Sequence, residues 1–192
     1  MSENPSDEIN ISSLVSAPTF QPCVAIVWGD QRGVITATAA EKRATDLLTA
    51  IAIAQAEGSF FKMLAPQIKP KGFGGKFIVN DEEKKAIAVL NFLRSNRLPL
   101  PEDINPIFGH RTQRPLIEYR WGERKVVWEL DLAATHARRL FEVANVAISD
   151  SFFYRFCQTR NIPKEVAEDI LEELLIFRRQ NLLEDIFEKD NG

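Results

Sequence analysis

An internal repeat constrains the fold of this chain more than any other sequence feature. The segment that starts at Cys23 aligns with the segment that starts at Leu116 at a constant offset of 93 residues. Seven of 32 aligned positions are identical, namely Trp28/Trp121, Gly29/Gly122, Val34/Val127, Ala40/Ala133, Ala44/Ala137, Leu47/Leu140 and Ala54/Ala147. Self-similarity at a fixed period indicates one structural unit used twice. We therefore expect two related halves.

Each copy begins with the pattern of a β-hairpin. In the first copy Val24, Ile26 and Trp28 occupy every second position, and in the second copy Ile117, Tyr119 and Trp121 do so. Period-2 spacing of residues with high β-propensity indicates strands. Gly29 and Gly122 follow, and glycine adopts the positive φ that tight hairpin turns require. Returning strands are predicted over 34–37 and 126–130.

A long helix is predicted after each hairpin. In the first copy, the sequence from Thr38 to Glu41 fits a capping box, and Asp131 is the corresponding N-cap candidate in the second. Alanine and leucine then recur at helical spacing, which gives each helix a buried stripe of mainly small residues. Leu47, Leu140, Trp28 and Trp121 are the predicted core residues.

A second helix is predicted to complete each half. One opens near Asp81 and ends near Ser95, and the other starts after Asn161 and Pro163 with Val166, Ile170, Leu174 and Phe177 as its buried face. The expected fold class is α+β, with duplicated hairpin–helix–helix units forming a mainly antiparallel sheet of about four strands covered by helices.

The remaining segments set the predicted domain organisation. Residues 1–20 are polar and indicate a flexible arm. Residues 21–96 form the first repeat unit, which contains a Gly/Lys-rich loop, and residues 116–192 form the second. The connector over 97–115 carries four prolines, which resist both helix and central strand.

Composition narrows the class of protein. Apolar residues make up 45% and charged residues 27% of the chain, which is typical of a globular protein. Its start lacks the features of a secretory signal, and no apolar run reaches the roughly 18 residues of a membrane span. Cys23 and Cys157 form neither a disulfide framework nor a zinc set. We expect a soluble, cytoplasmic protein that does not bind membranes, with both thiols reduced and mostly buried.

Charge is distributed unevenly along the chain. The net charge is −3 over residues 1–22, −5 over residues 164–192 and +5 over residues 23–163. A basic body is compatible with an anionic partner, although this excess is small beside that of a dedicated nucleic-acid domain. An ordinary solvated surface is the simpler interpretation.

The Gly/Lys-rich loop is the best candidate for phosphate binding. Its glycines would expose backbone N–H groups, and the candidate anion-binding residues are Lys69, Lys71, Lys76, Arg111 and Arg114. The loop lacks the spacing of a P-loop, however, and a flexible connector between two helices is the favoured interpretation. No other cofactor motif occurs, so the sequence predicts no cofactor.

The side chains that most often act in catalysis or metal binding are interpreted as structural in this sequence. His136 aligns with Arg43, which favours a solvent-facing position, and neither it nor His110 has a second ligand at metal-binding spacing. Cys157 fits a buried filler. Acidic pairs on the last helix, such as Glu168 with Glu172 and Asp169 with Glu173, fit a solvated surface. The aromatic residues at the ends of the long helices, Phe60, Phe61, Phe152, Phe153, Tyr154 and Phe156, are expected to pack in the core.

One asymmetry between the hairpins bears on function. Ala25 and Val27 make the first outgoing strand apolar on both faces, whereas Glu118 and Arg120 occupy these positions in the second. Such a strand is buried on both sides, either inside the molecule or against another chain. Ala25 and Val27 are therefore candidate interface residues.

Three classes of function follow from these observations. The first is a non-enzymatic binding or adaptor protein that presents a sheet or helix surface to a protein partner, as a single-chain pseudo-dimer or a homo-oligomer. The second is a nucleic-acid-associated protein that uses the basic body. An enzyme acting through Cys157 or His136 ranks last, so we predict no catalytic residues.

Overall fold

The computed structural model describes residues 9–16, 19–64, 81–95, 99–109 and 114–189. The fold class is α+β, as predicted. Its elements follow in the order β1 (Ile9–Val15), β2 (Pro22–Trp28), β3 (Gln31–Thr36), α1 (Ala37–Leu64), α2 (Asp81–Ser95), β4 (Ile104–Gly109), β5 (Arg114–Trp121), β6 (Arg124–Glu129), α3 (Leu130–Thr159) and α4 (Lys164–Lys189). Three strands followed by two helices thus occur twice.

The strands form two sheets rather than the single sheet of about four strands expected from the sequence. Sheet A has the order β1-β2-β3 and sheet B the order β4-β5-β6, and all pairs are antiparallel. The additional strand β1 lies within the predicted flexible arm, and β4 lies within the predicted connector. Ile9 and Ile11 are buried and hold β1 in place, and Ile104 does the same for β4.

Both predicted hairpins are confirmed, with turns at Gly29 and Gly122. These glycines have φ angles of +61° and +59°, which a residue with a side chain adopts only under strain. The two hairpins also share one register, since Val24 pairs with Ile35 and the residue 93 positions on, Ile117, pairs with Trp128.

The two turns also contact each other. A Cβ placed on Gly29 would meet the Arg124 guanidinium, and one placed on Gly122 would meet the side chain of Gln31. Gln31 and Arg124 are themselves 93 residues apart, so each turn glycine faces the equivalent side chain of the other hairpin. The Arg124 guanidinium also donates to Asp30 at 2.6 Å, which holds the pKa of Asp30 below its ordinary value.

The long helices α1 and α3 form the centre of the molecule and pack against each other. Each covers mainly the sheet of the other half, because α3 packs on β1 and β2 whereas α1 packs on β4 and β5. The predicted alanine stripes lie in this contact, and Ala44, Leu47, Ala137 and Leu140 are completely buried. Small side chains allow the two helices to approach closely while they cover the sheets. The halves therefore share one core.

The predicted core is confirmed for Trp28, Leu47 and Leu140, whereas Trp121 is only half-buried. Trp121 lies at a hairpin tip, where its ring packs beside Gly33 and under the Arg43 guanidinium.

The helix starts differ from the predicted caps. At α1 the hydroxyl of Thr36, not that of Thr38, accepts a hydrogen bond from the Ala39 N–H at 3.2 Å. At α3 the N-cap is Glu129, which makes no capping hydrogen bond, and Asp131 lies inside the first turn. Strand and helix follow each other without a loop at both places, so the cap falls on the last strand residue.

Candidate docking surfaces

Most of the predicted anion-binding residues lie outside the described part of the chain. This applies to Lys69, Lys71, Lys76 and Arg111, as well as to His110. Arg114 is described at the start of β5, where its exposed side chain pairs with the carboxylate of Glu129 at 3.4 Å. The nucleic-acid alternative stays a prediction.

The candidate interface residues Ala25 and Val27 lie on the outer face of sheet A. Both are half-buried, and the inner face of the same strand carries Val24, Ile26 and Trp28 into the core. Ala25 pairs with Ser12 on one side and with Val34 on the other, and both of these neighbours are exposed. The outer face of this strand is therefore only half-buried in the structure.

The equivalent face of sheet B is ionic. Glu118 accepts hydrogen bonds or ion pairs from Arg120 at 2.6 Å and from Lys125 at 2.8 Å. These two cations hold the pKa of the Glu118 carboxyl below its ordinary value. Sheet A thus presents a nearly uncharged outer face and sheet B a salt-bridged one, although their strands share one register.

Among the described residues, α4 carries an exposed apolar stripe that differs from the sequence prediction. The face of α4 that turns inward consists of Ala167 and Leu171 with Leu174 beside them, so the helix is rotated relative to the predicted buried face. The predicted core residues Val166, Ile170 and Phe177 are exposed, and Phe177 retains 60% of its accessible surface. Their spacing of four and seven residues places them in one stripe along the helix.

The neighbouring end of α3 is also exposed. Phe152 and Phe156 retain 73% and 53% of their accessible surface, contrary to the expectation that they pack in the core. They lie four residues apart and share one side of the helix, with the Arg160 guanidinium 5.6 Å from the centre of the Phe156 ring. Of the six aromatic residues expected in the core, Phe61 is fully buried and contacts Phe108.

Acidic residues flank the apolar stripe of α4. Glu165 and Asp169 each lie about 100° around the helix from the adjoining stripe residues Val166 and Ile170, and Glu172 lies further round the helix. Glu173 lies within the stripe, three residues after Ile170 and four before Phe177, and all four acidic residues are exposed. Glu168 is exposed as well, as predicted for a solvated acidic surface. The cations of this part of α4 are already engaged, because Lys164 pairs with Glu168 at 3.2 Å and Arg178 with Asp150 at 2.9 Å.

Two ion pairs between helices fix the second helix of each half. Asp150 on α3 is buried and accepts from Arg178 on α4, and Glu57 on α1 is buried and accepts from Arg94 on α2 at 2.6 Å. Asp150 follows Glu57 by 93 residues. A buried carboxylate is costly unless it is paired, so these contacts determine how α2 and α4 dock.

We expect the variant Arg178→Met to lower the free energy of unfolding by about 1 to 3 kcal/mol, because it leaves the buried Asp150 carboxylate without its charged partner. Methionine retains the length and apolar stem of the side chain. Chemical denaturation measures the loss, and Lys164→Met, which breaks an exposed pair on the same helix, is the control with an expected change below about 0.5 kcal/mol. Equal losses in the two variants would contradict the structural role of the buried pair.

A buried aromatic cluster surrounds His136, which is only 8% exposed. The predicted solvent-facing position of His136 is therefore wrong. Its ring contacts Tyr119 and Trp128 at centroid distances of 5.2 Å and 4.8 Å. Arg43, the residue that aligns with His136, reaches the same cluster, because its Nε donates to the Tyr119 hydroxyl at 2.8 Å and its guanidinium pairs with Asp103.

Burial lowers the pKa of His136 to about 4, and the positive charges of Arg43 and Arg139 act in the same direction. Among the described side chains, the Nε2 of His136 and the Nε1 of Trp28 are buried and have no hydrogen-bond partner. Burial also raises the pKa of Tyr119. The cluster is therefore built around a neutral imidazole.

Cys157 is buried as predicted, and Cys23 is half-buried on the outer face of sheet A. Within the described ranges, no three His, Cys, Asp or Glu side chains come together as metal ligands. Among the described residues, no helix is long and apolar enough to cross a membrane.

No protein-family model matches this chain, and neither a curated protein nor a solved structure shows significant similarity to it. The function is therefore argued from the surfaces described above.

Proposed function

We propose that this chain is a non-enzymatic binding protein that docks a protein partner on the α3–α4 face. This face comprises two exposed apolar groups, Phe152 and Phe156 at the end of α3 and Val166, Ile170 and Phe177 on α4. The observation that carries the proposal is the exposure of these five large apolar side chains on two consecutive helices. An apolar surface of this kind on a folded chain marks an interaction site.

The sequence of α4 supports the same conclusion. A helix acquires an apolar stripe because something covers it, and here the stripe of Val166, Ile170 and Phe177 is separate from the face that packs inward. The helix thus has one apolar face for its own fold and a second one for a partner. Aromatic side chains such as Phe156 are enriched in protein interfaces relative to the rest of the surface.

The charge around the face defines the chemistry of the partner. Glu165 and Asp169 border the apolar stripe, Glu173 lies within it, and all three are exposed. A complementary partner presents apolar side chains flanked by Lys and Arg, as a basic amphipathic helix does. Opposite charges would steer the encounter, and the apolar contacts would supply most of the affinity.

Binding of synthetic peptides tests this proposal. Two amphipathic helices of about 18 residues carry the same leucine face, one with lysines and the other with glutamates on the polar face. We expect the lysine peptide to bind the full chain and the glutamate peptide not to bind, as measured by fluorescence anisotropy near physiological salt. Phe156→Glu should weaken binding of the lysine peptide by at least about 30-fold, the effect of an interface hot spot of roughly 2 kcal/mol.

Leu132→Glu is the matched control. Leu132 is an exposed apolar residue of the same helix, but it lies about 36 Å from Phe156 along the helix axis. This variant should bind the lysine peptide like the parent chain. Equal binding of both peptides, or unchanged binding by Phe156→Glu, would contradict the proposal.

We further propose that the two halves are internal duplicates related by a pseudo-twofold axis. Support comes from the seven identities at the offset of 93, from the shared hairpin register and from the equivalent ion pairs of Glu57 and Asp150. Superposition of residues 23–64 on residues 116–156 in an experimental structure should place Trp28 on Trp121 and Leu47 on Leu140. Different paths of the two segments would exclude duplication.

A further inference from the structure

The two sheets have four edge strands, and each edge strand exposes backbone N–H and C=O groups to a possible further strand. Sheet A ends in β1 and β3, and sheet B ends in β4 and β6. In the described part of the chain, each of them hydrogen bonds to one neighbouring strand. Proteins protect such edges with charged residues, proline or irregular backbone.

Three of the four edges carry such protection. β4 contains Pro106, which has no N–H to offer to a further strand. β6 contains Arg124, Lys125 and Glu129, and charged side chains on an edge strand are a common protection against edge pairing. β3 contains the exposed Arg32 followed by Gly33, whose Cα packs against the ring of Trp121.

β1 lacks every one of these devices. Its sequence, INISSLV, has no charged residue, no proline and no glycine over seven residues. Ile9 and Ile11 anchor the strand in the core, while Asn10, Ser12 and Leu14 point outward and are exposed. The strand is therefore held in an extended conformation at the edge of the sheet, and among the described elements no strand pairs with its outer edge.

We infer that β1 pairs antiparallel with β1 of a second copy of this chain, which joins two copies of sheet A into one six-stranded sheet. A second copy is the occupant that the strand itself fits best. Antiparallel pairing of a strand with itself across a twofold axis is self-complementary, and no register of β1 against β1 places like charges opposite each other.

The surrounding charge supports the same pairing. Arg32 is the single charged residue in the three strands of sheet A. In the joined sheet, the two copies of Arg32 would lie five strand spacings apart, about 24 Å, which is well beyond the screening length of roughly 8 to 10 Å. Ala25 and Val27 would continue the uncharged outer face across the joined sheet, whereas the equivalent join of sheet B would bring Pro106 to the seam.

Sedimentation equilibrium of the full chain tests this inference at concentrations from about 1 to 100 µM, where specific self-association of this kind is measurable. We expect the parent chain to dimerise and Ser12→Lys, which places a charge at the centre of the edge, to raise the dimer dissociation constant at least tenfold. Asn10→Lys, at a second exposed position of β1, should act alike if Ser12→Lys perturbs folding. Ser12→Thr should dimerise like the parent, because threonine is uncharged and suits a strand.

Asn105→Lys is the matched control. Asn105 is exposed on β4 and pairs with Glu118, which follows the Ser12 partner Ala25 by 93 residues. This variant should dimerise like the parent. Hydrogen exchange provides an independent measurement, since the outer amides of β1 should exchange more slowly in the dimer than in a dilute sample.

Three results would overturn the inference: a parent chain that stays monomeric over the whole range, a dimer that tolerates both lysines in β1, or a dimer that Phe156→Glu disrupts. The last result would place the contact on the α3–α4 face. The inference does not depend on the proposed function, because peptide docking involves α3 and α4 and dimerisation involves β1.

Discussion

Replacing Leu140 with alanine is expected to lower the free energy of unfolding by about 2 to 5 kcal/mol, and the same loss is expected for Leu47→Ala. Both side chains are completely buried. They lie on α1 and α3, which pack against each other and against both sheets. The loss combines the transfer of the leucine side chain out of water with the cavity that alanine leaves in a closely packed interior.

Leu48, which follows Leu47 on α1, provides the control, because 45% of its surface remains exposed. Leu48→Ala should change the free energy of unfolding by less than about 1 kcal/mol. Urea denaturation measures all three variants and also reports cooperativity. Because each long helix covers mainly the sheet of the other half, we expect a single transition with an unchanged m-value. Two separate transitions in Leu140→Ala would mean that the halves unfold independently.

The parts of the fold that sequence periodicity predicts are those in which local pattern and tertiary packing agree. Both hairpins and the long helices follow from period-2 and period-3.6 patterns around Gly29 and Gly122, and the alanine stripes identify the central contact. The helix α2 also lies where its start and end signals place it. At these positions the residue that suits the local conformation is also the residue that the core requires.

Sequence periodicity does not identify the edge strands β1 and β4, because their apolar patterns are short and mixed with polar residues or proline. β1 alternates Ile9 and Ile11 with Asn10 and Ser12, but it is only seven residues long and stands in a polar segment. β4 contains Pro106, which argues against a strand except at a sheet edge, and this strand is an edge. Pairing with a neighbouring strand decides such cases, and one segment read by itself does not contain that information.

The proposed docking face does not coincide with the surface that the sequence names. The sequence predicts a sheet or helix surface for a protein partner and names Ala25 and Val27, which lie on the open face of sheet A. It assigns Val166, Ile170 and Phe177 to the core, because periodicity shows that a stripe is apolar without showing what covers it. The second set of apolar residues, Ala167 and Leu171, is the signal that could have identified α4 as a helix with two apolar faces.

His136 shows a related limit of internal alignment. Its alignment with Arg43 suggested a surface position, yet Arg43 itself reaches into the cluster to bind the Tyr119 hydroxyl. The two aligned residues, Arg43 and His136, thus contact the same aromatic cluster, one as a cation and the other as an imidazole. Arg43 pairs there with Asp103, whereas the imidazole of His136 is enclosed by rings, and burial lowers its pKa to about 4.

We expect this buried imidazole to make the chain less stable in acid. The pKa of His136 is about 4 in the folded chain, compared with about 6.5 in the unfolded chain. Below pH 6.5 the unfolded state therefore binds a proton that the folded state does not bind, and stability falls as the pH decreases. The loss attributable to His136 is about 2 kcal/mol between pH 7 and pH 5, and it levels off near 3 kcal/mol once the folded state is also protonated below pH 4.

The variant His136→Gln isolates this contribution, because glutamine is polar and does not titrate. Urea denaturation at a series of pH values from 7 to 4 gives the free energy of unfolding of both proteins, and the difference between them removes the shared titration of carboxylates. The variant is expected to be less stable than the parent near pH 7 and to lose about 2 kcal/mol less on acidification to pH 5. The pH-dependent difference tests the buried imidazole whatever the starting stability of the variant. Parallel curves would mean that His136 titrates alike in the folded and unfolded chains, which a histidine enclosed by Tyr119 and Trp128 and repelled by Arg43 does not do.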